Sequence, residues 1–203
     1  MVAYVFDRLL TQGVRAGKIP ARTRQSRDWF REKAASTRIT PNRLVSEAGK
    51  KEGGSALTNK ILPGRMYAFF YNPKHRATLP YYDRFPLIFM VSKTEDGFYG
   101  INLHYLPPEL RARLMDALYD LTNNKKFDET TKLRMSYDIL KQATKFRWFK
   151  PTFKRYLTNH VNGRFVYIDS VEWDMALFLP TERFVKANKS AVWKDSRRII
   201  RGR

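Results

Sequence analysis

The sequence contains no cysteine and only three histidines, His75, His104 and His160. A disulfide framework and thiolate metal sites are therefore excluded, and three scattered imidazoles leave little for a zinc centre. No metal and no cofactor are expected. Long apolar runs are also missing. The opening Val2-Ala3-Tyr4-Val5-Phe6 is shorter than the core of a signal peptide and is followed by Asp7, and no run approaches the roughly 18 apolar residues that span a bilayer. A soluble, intracellular chain without a membrane partner is expected. Acidic residues are scarce as well: 19 Asp and Glu stand against 39 Lys and Arg, for a formal net charge of +20 over 203 residues. With 43% apolar residues, the chain is long enough for one sizeable core and a small extension.

The positive charge is not spread evenly. Residues 1–60 hold 13 basic and 5 acidic side chains, residues 61–123 hold 7 and 6, and residues 124–203 hold 19 and 8. Charge kept only for solubility has little reason to segregate, whereas a polyanion grip concentrates it on particular elements. The expected organisation is a basic N-terminal arm and linker (1–60), a compact α+β body (61–186) and a basic C-terminal tail (187–203).

The neutral middle is rich in aromatics. Runs over Met66 to Tyr71, Phe85 to Val91 and Phe98 to Leu106 read as three strands. In the third, Tyr99, Ile101, Leu103 and Tyr105 alternate with Phe98, Asn102 and His104, the pattern of a strand with one buried face. Lys93-Thr94-Glu95-Asp96-Gly97 suits a hairpin, Gly97 supplying positive φ. Pro107-Pro108 opens a helix carrying Leu110, Leu114, Ala117, Leu118 and Leu121, closed by Asn123-Asn124. Asp128 caps a second helix reaching about Lys145. A third is predicted from Pro151, with Phe153, Tyr156, Leu157, His160 and Val161 at helical spacing, ending at Gly163. Arg164 to Asp169 reads as a short strand, Val171 to Leu177 as a helical turn or loop, and Pro180 to Lys186 as a helical start. The fold class is therefore α+β: a small, strongly curved antiparallel sheet of three or four strands, with an SH3-like barrel as one closure it allows, packed helices, and a basic N-terminal helical arm. In that arm Asp7 to Leu10 is a helical turn, Ala21 to Thr37 a basic helix and Gly49 to Asn59 a flexible linker; with too few apolar residues to fold alone, the segment either lies on a partner as an arm or docks on the sheet as a helix.

Three segments are candidate DNA contacts. Lys141 to Arg155 holds six basic residues, four aromatics and no acid. Its Lys141, Lys145, Arg147, Lys150, Lys154 and Arg155 suit phosphates, and Trp148 suits stacking on an exposed base. Phe149 and Phe153 are expected in the core. In the N-terminal segment Arg24, Arg27 and Arg31 share a helical face, with Arg22 just before them, and arginine favours bidentate phosphate contacts. The tail from Lys186 to Arg203 offers Lys194, Arg197 and Arg198, while Val192, Trp193, Ile199 and Ile200 argue that part of it docks as a helix. For catalysis there is little. Gly53 to Lys60 lacks the second Gly of a phosphate loop, and no nucleophile elbow or paired-histidine helix occurs. Asp116 and Asp120 read as exposed helix carboxylates. His75, beside Lys74, Arg76 and Arg84, is a weak candidate for acid-base work in metal-free RNA cleavage.

Pro63 to Leu87 (PGRMYAFFYNPKHRATLPYYDRFPL), Gly100 to Pro108 (GINLHYLPP) and Val192 to Ile200 (VWKDSRRII) together resemble the DNA end protector proteins of T4-like tailed bacteriophages, over roughly residues 60 to 200. The resemblance implies a structural, non-enzymatic protein packaged with the genome, which binds the ends of linear double-stranded DNA and shields them from host exonuclease. It implies a place in the virion head or neck, then the host cytoplasm, with phage head or neck proteins as further partners. A virion connector or head-completion protein with basic DNA-contacting arms is the alternative. A fainter likeness, through Gly64-Arg65, Asn72-Pro73 and Arg84-Phe85-Pro86, is to toxin endoribonucleases with SH3-like barrels; it leaves the basic flanks unexplained.

Overall fold

The computed structural model describes residues 3–18, 23–122, 131, 137–142, 145 and 147–202. Three helices come first: α1 (Val5–Arg15), α2 (Arg24–Ser36) and α3 (Pro41–Gly49). Local signals start two of them. The Thr23 side chain accepts a hydrogen bond from the Ser26 N–H, and Thr40 caps α3 with Pro41 in its first turn, which supplies partners for amides that a helix start leaves unpaired. Thr40-Pro41 is a start signal that the reading of the N-terminal segment passed over, α3 falling between the expected basic helix and the expected linker.

These helices are not a separate arm. Tyr4, Phe6 and Leu9 from α1 and its approach, Phe30 and Ala34 from α2, and Leu44 and Ala48 from α3 are buried in one cluster with Met66, Phe89, Ile101 and Ile168 of the sheet. The cluster thus runs across the boundary expected at residue 60. The segment has few apolar residues, but they fall on the inner faces of helices that share the body's core.

The sheet is antiparallel and six-stranded, in the order β1 (Leu57–Thr58), β7 (Val161–Ile168), β2 (Met66–Tyr71), β4 (Leu87–Lys93), β5 (Gly97–Asn102), β6 (Phe153–Leu157). The first pairing, Leu57 on Val166, lies inside the stretch expected to be linker. A two-stranded ribbon joins β3 (Tyr82–Asp83) to β8 (Phe184–Val185), where the sequence suggested a helical start. Helix α4 (Pro108–Thr122) follows β5, and α5 (Trp173–Phe178) and α6 (Lys189–Arg201) complete the chain.

The clearest misreading lies between Pro151 and Gly163. The three- and four-residue spacing of Phe153, Tyr156, Leu157 and His160 imitates a helix, but Phe153–Leu157 is a strand paired along β5, Phe98 facing Tyr156. Period two sends Tyr156 into an aromatic cluster on one side of the sheet. Phe153 goes to the other, where it is 37% exposed and stacks on Tyr99 at 5.1 Å and 8°. The Asp128 to Lys145 helix falls mostly outside the described residues; 137–142 are helical.

Both faces of the sheet are covered. Met66, Ala68, Leu87 and Phe89 face the helices, while Tyr67, Phe69, Ile88, Met90, Phe98, Tyr156 and Phe165 form a second, largely aromatic cluster to which no described helix contributes. That face buries itself by curling. Strands β7 and β5 are separated by β2 and β4, roughly 14 Å apart in a flat sheet, yet the rings of Phe165 and Phe98 lie 5.8 Å apart. Register shifts at Ala68/Phe70 and Met90/Ser92 bend the pairings. The sheet keeps two edges, β1 and β6, and is not closed as a barrel.

Gly97 serves a purpose other than the one its hairpin position suggests. Its φ is not positive; instead a Cβ there would lie 1.9 Å from the Tyr156 carbonyl oxygen, so the edge strand β6 can approach only a glycine. Gly97→Ala is expected to destabilise the protein by about 1–3 kcal/mol through overpacking, read from urea unfolding; a change under about 0.5 kcal/mol would remove this account of the edge strand.

Candidate nucleic-acid interface

Helix α6 is positioned by its apolar face. Asn188 caps it by accepting from the Ala191 N–H at 2.9 Å, and Val192, Ser196 and Ile200, four residues apart, are buried. The Trp193 indole donates to the His104 carbonyl at 2.9 Å, and the buried guanidinium of Arg111 lies 5.4 Å from that indole ring. Arg111 itself donates to the carbonyls of Leu106, Leu177 and His104, with burial pushing its pKa down to about 10. With one face held in this way, Lys194, Arg197, Arg198 and Arg201 stand exposed on the other, around a shallow hollow that also contains Asp195.

The same helix packs against the turn Arg147–Phe149, so two segments 40 residues apart in sequence meet. Lys145, Arg147 and Lys150 are exposed at and beside that turn. Trp148 is 45% exposed, with the Arg147 guanidinium 5.6 Å from its ring. Its other neighbours, Leu110, Ala117, Ile139 and Phe149, line an apolar hollow. Two ion pairs lie on this surface: Arg197 with Glu109 at 2.7 Å, both exposed, and the exposed Arg198 with a half-buried Asp195. Exposed pairs contribute about 0–1 kcal/mol, so an incoming phosphate competes with them at little cost.

The arginines of α2 are placed differently. Arg24 is exposed, and Arg22 lies outside the described residues. Arg27 pairs with Asp116 at 3.2 Å. Arg31 is buried; its Nε donates to both oxygens of Asp174 at 2.9 and 3.1 Å, and a terminal nitrogen donates to Asp116 at 2.7 Å. Burial pushes the Asp174 carboxyl up to about 6 against the pull of Arg31. Burial also opposes the charge on Arg31, but the two carboxylates outweigh it and hold the guanidinium above its ordinary value. These groups tie α2 to α4 and α5. Asp116, expected as a solvated helix carboxylate, is one of the ties, because a half-buried carboxylate facing two arginines is held in place by them.

Lys141 is exposed on the 137–142 helical stretch, and Arg155 is exposed and paired with Asp96 at 2.7 and 2.9 Å. Lys154 points instead into a cleft beneath the aromatic face. Of the catalytic candidates, His75 sits in an exposed loop. His104 is fully buried, its Nδ1 2.7 Å from Asp83 and its Nε2 3.4 Å from the Thr181 hydroxyl. Burial alone would raise the Asp83 carboxyl, but His104 and the amides of Phe85 and Arg183 outweigh it and hold the pKa low.

The family model described as Phage T4 terminal DNA protecting protein matches residues 9–197. The chain belongs to this family. No curated protein and no solved structure matches it. The match to the terminal DNA protecting family begins within α1, takes in α2 and α3, beyond the reach of the likeness seen over residues 60 to 200, and continues into α6. Among the described residues, no helix is long and apolar enough to cross a membrane. In this member of the terminal DNA protecting family, one gathering of cations is exposed and another is committed to the fold. Accordingly, Arg31→Ala, which strands the buried Asp174, should lower stability by about 3–5 kcal/mol, whereas Arg24→Ala should change it by under about 0.5 kcal/mol. Equal effects of the two in urea unfolding would contradict the division.

Proposed function

We propose that this protein binds the ends of linear double-stranded DNA and shields them from exonuclease without carrying out chemistry on them, travelling in the head or neck of the virion and acting in the host cytoplasm. The observation that carries this reading is the meeting of α6 with the Arg147–Phe149 turn, which gathers Lys145, Arg147, Lys150, Lys194, Arg197 and Arg198 on exposed surface beside an exposed Trp148. Membership of the terminal DNA protecting family supports the partner. The cations take backbone phosphates irrespective of sequence, and Trp148 stacks on the terminal base pair, whose outer face no neighbouring pair covers. A non-enzymatic role is supported by the complete burial of His104, the imidazole of the His-carboxylate pair found among the described residues.

Neutralising about five phosphates gives a salt slope of roughly −4.5, so affinity should fall by several hundredfold between 50 and 200 mM salt. Replacing Arg197 and Arg198 together by Gln should reduce that slope by about two. The function itself is tested by exonuclease digestion of blunt linear duplex. Added protein should preserve the ends, and circular DNA of equal length should compete poorly. Unchanged digestion, or equal competition by circles, would reject end protection and leave a general DNA-contacting connector.

A further inference from the structure

The curl of the sheet leaves a cleft of about 420 Å³ between β6, the loop after β2 and the residues following β5. Its walls are phenolic, with Tyr71, Tyr81 and Tyr105 among them, and Lys74 and His75 stand at its loop side. Its floor is closed by Asp83, Asn102 and Tyr156, all buried, and already occupied with one another: the Asn102 amide donates to Asp83 at 3.2 Å and to the Tyr156 hydroxyl at 3.1 Å.

Lys154 is the group in this cleft without an assigned task. Its Nζ lies 4.3 Å from the centre of the Tyr105 ring, and no oxygen among the described residues forms a hydrogen bond or ion pair with it. An ammonium is a donor of three hydrogen bonds, and that of Lys154 offers them to the open space of the cleft. Burial lowers its pKa, opposed by the charge of Asp195. The arrangement is a cation held on an aromatic wall and aimed into a hollow, as anion sites are built.

The cleft also adjoins the cationic surface. The Tyr81 hydroxyl donates to Asp195 of α6 at 2.5 Å, in the same turn as Lys194, Arg197 and Arg198. The cleft mouth and the exposed cations of α6 are therefore adjacent. The volume falls at the small end of ligand sites, about 300–1,000 Å³, enough for one nucleotide and not for a base pair. The floor is closed by buried groups, which suits a terminal nucleotide entering from the mouth.

We propose that this cleft holds the strand-terminal nucleotide of a DNA end, parted from its pairing partner, with its terminal phosphomonoester on the Lys154 ammonium and its base against the Tyr81 ring, Trp148 then covering the first intact pair. The proposal rests on the end-binding reading above and adds the group that distinguishes an end from the rest of the duplex. A phosphomonoester carries more negative charge than an internal diester, and stacking on phenol rings tolerates any base.

The test compares blunt duplexes of one sequence carrying 5′-phosphate, 3′-phosphate or hydroxyl at both ends, bound to the full chain. The wild type should bind one phosphorylated form at least fivefold more tightly than the hydroxyl form, and the arm that shows the preference identifies the strand end. In Lys154→Met, which keeps the stem and removes the charge, the ratio should fall to about one. Equal binding of all three duplexes by the wild type, or a ratio that survives in Lys154→Met, would overturn the proposal. A second readout needs no variant: acylation of Lys154 near neutral pH should be blocked by the preferred phosphorylated duplex and not by circular DNA. Acylation of Lys154 that no duplex alters, while that of Lys194 falls, would overturn the cleft alone. A protein in which neither lysine is protected would fail the end-binding reading itself.

Discussion

The rest of the structure depends on how the sheet buries its aromatic face. Phe69 sits at the centre, within 5.0 to 6.2 Å of Phe165, Tyr156, Phe98 and Tyr71, and no described helix covers this side. Each large aromatic removed from water stabilises the fold by about 1.5–3 kcal/mol, so the sheet gains by bending until its own strands supply the cover. Bending carries β6 round towards β2, where the Tyr71 hydroxyl accepts from the Leu157 N–H at 3.1 Å and Tyr71 meets Tyr156 edge-on at 4.9 Å. The cleft is the mouth of this curl. A flat sheet of the same sequence would have neither the cleft nor a protected aromatic core.

The opposite face carries the helices, and there the excess of positive charge divides by environment. Where a carboxylate is near and water is scarce, arginine becomes a structural tie: Arg31 between Asp116 and Asp174, and Arg8 of α1 on the buried Glu47 of α3. Such ties fix where helices sit, because removing either partner leaves a buried charge without compensation. Where the helix face is open, as on α6, Arg197 and Arg198 are themselves exposed and their carboxylate pairs are open to displacement by salt and phosphate. Net charge therefore overstates the grip, and the exposed subset carries it.

Several features were legible from composition and pattern. Met66–Tyr71 is a strand where its aromatic run places it, Pro108 opens α4, and the apolar residues of the tail do dock it as a helix. Other features depend on partners distant in sequence. Phe153 and Tyr156 satisfy helical and strand spacing alike, and pairing with β5 decides between them. Phe98 to Asn102 was expected to bury one face and buries both, because the curl covers the second. Arg24, Arg27 and Arg31 share a face by periodicity, but only the position of Asp174, 143 residues from Arg31, reveals that this face turns inward at Arg31 while Arg24 stays exposed. Tyr81, Tyr105 and Lys154 come from three separate segments, so no local pattern marks the cleft.

The central claim is that a DNA end, rather than the length of a duplex, lies against α6 and the turn beside it. Photo-cross-linking with a reactive base placed either at the terminus or in the middle of a linear duplex tests this most directly. The account predicts that the terminal base links to peptides within residues 145–157 and 189–201, and that the central base links weakly or not at all. Equal linking from both positions, or terminal links confined to α1, α2 and α3, would contradict it.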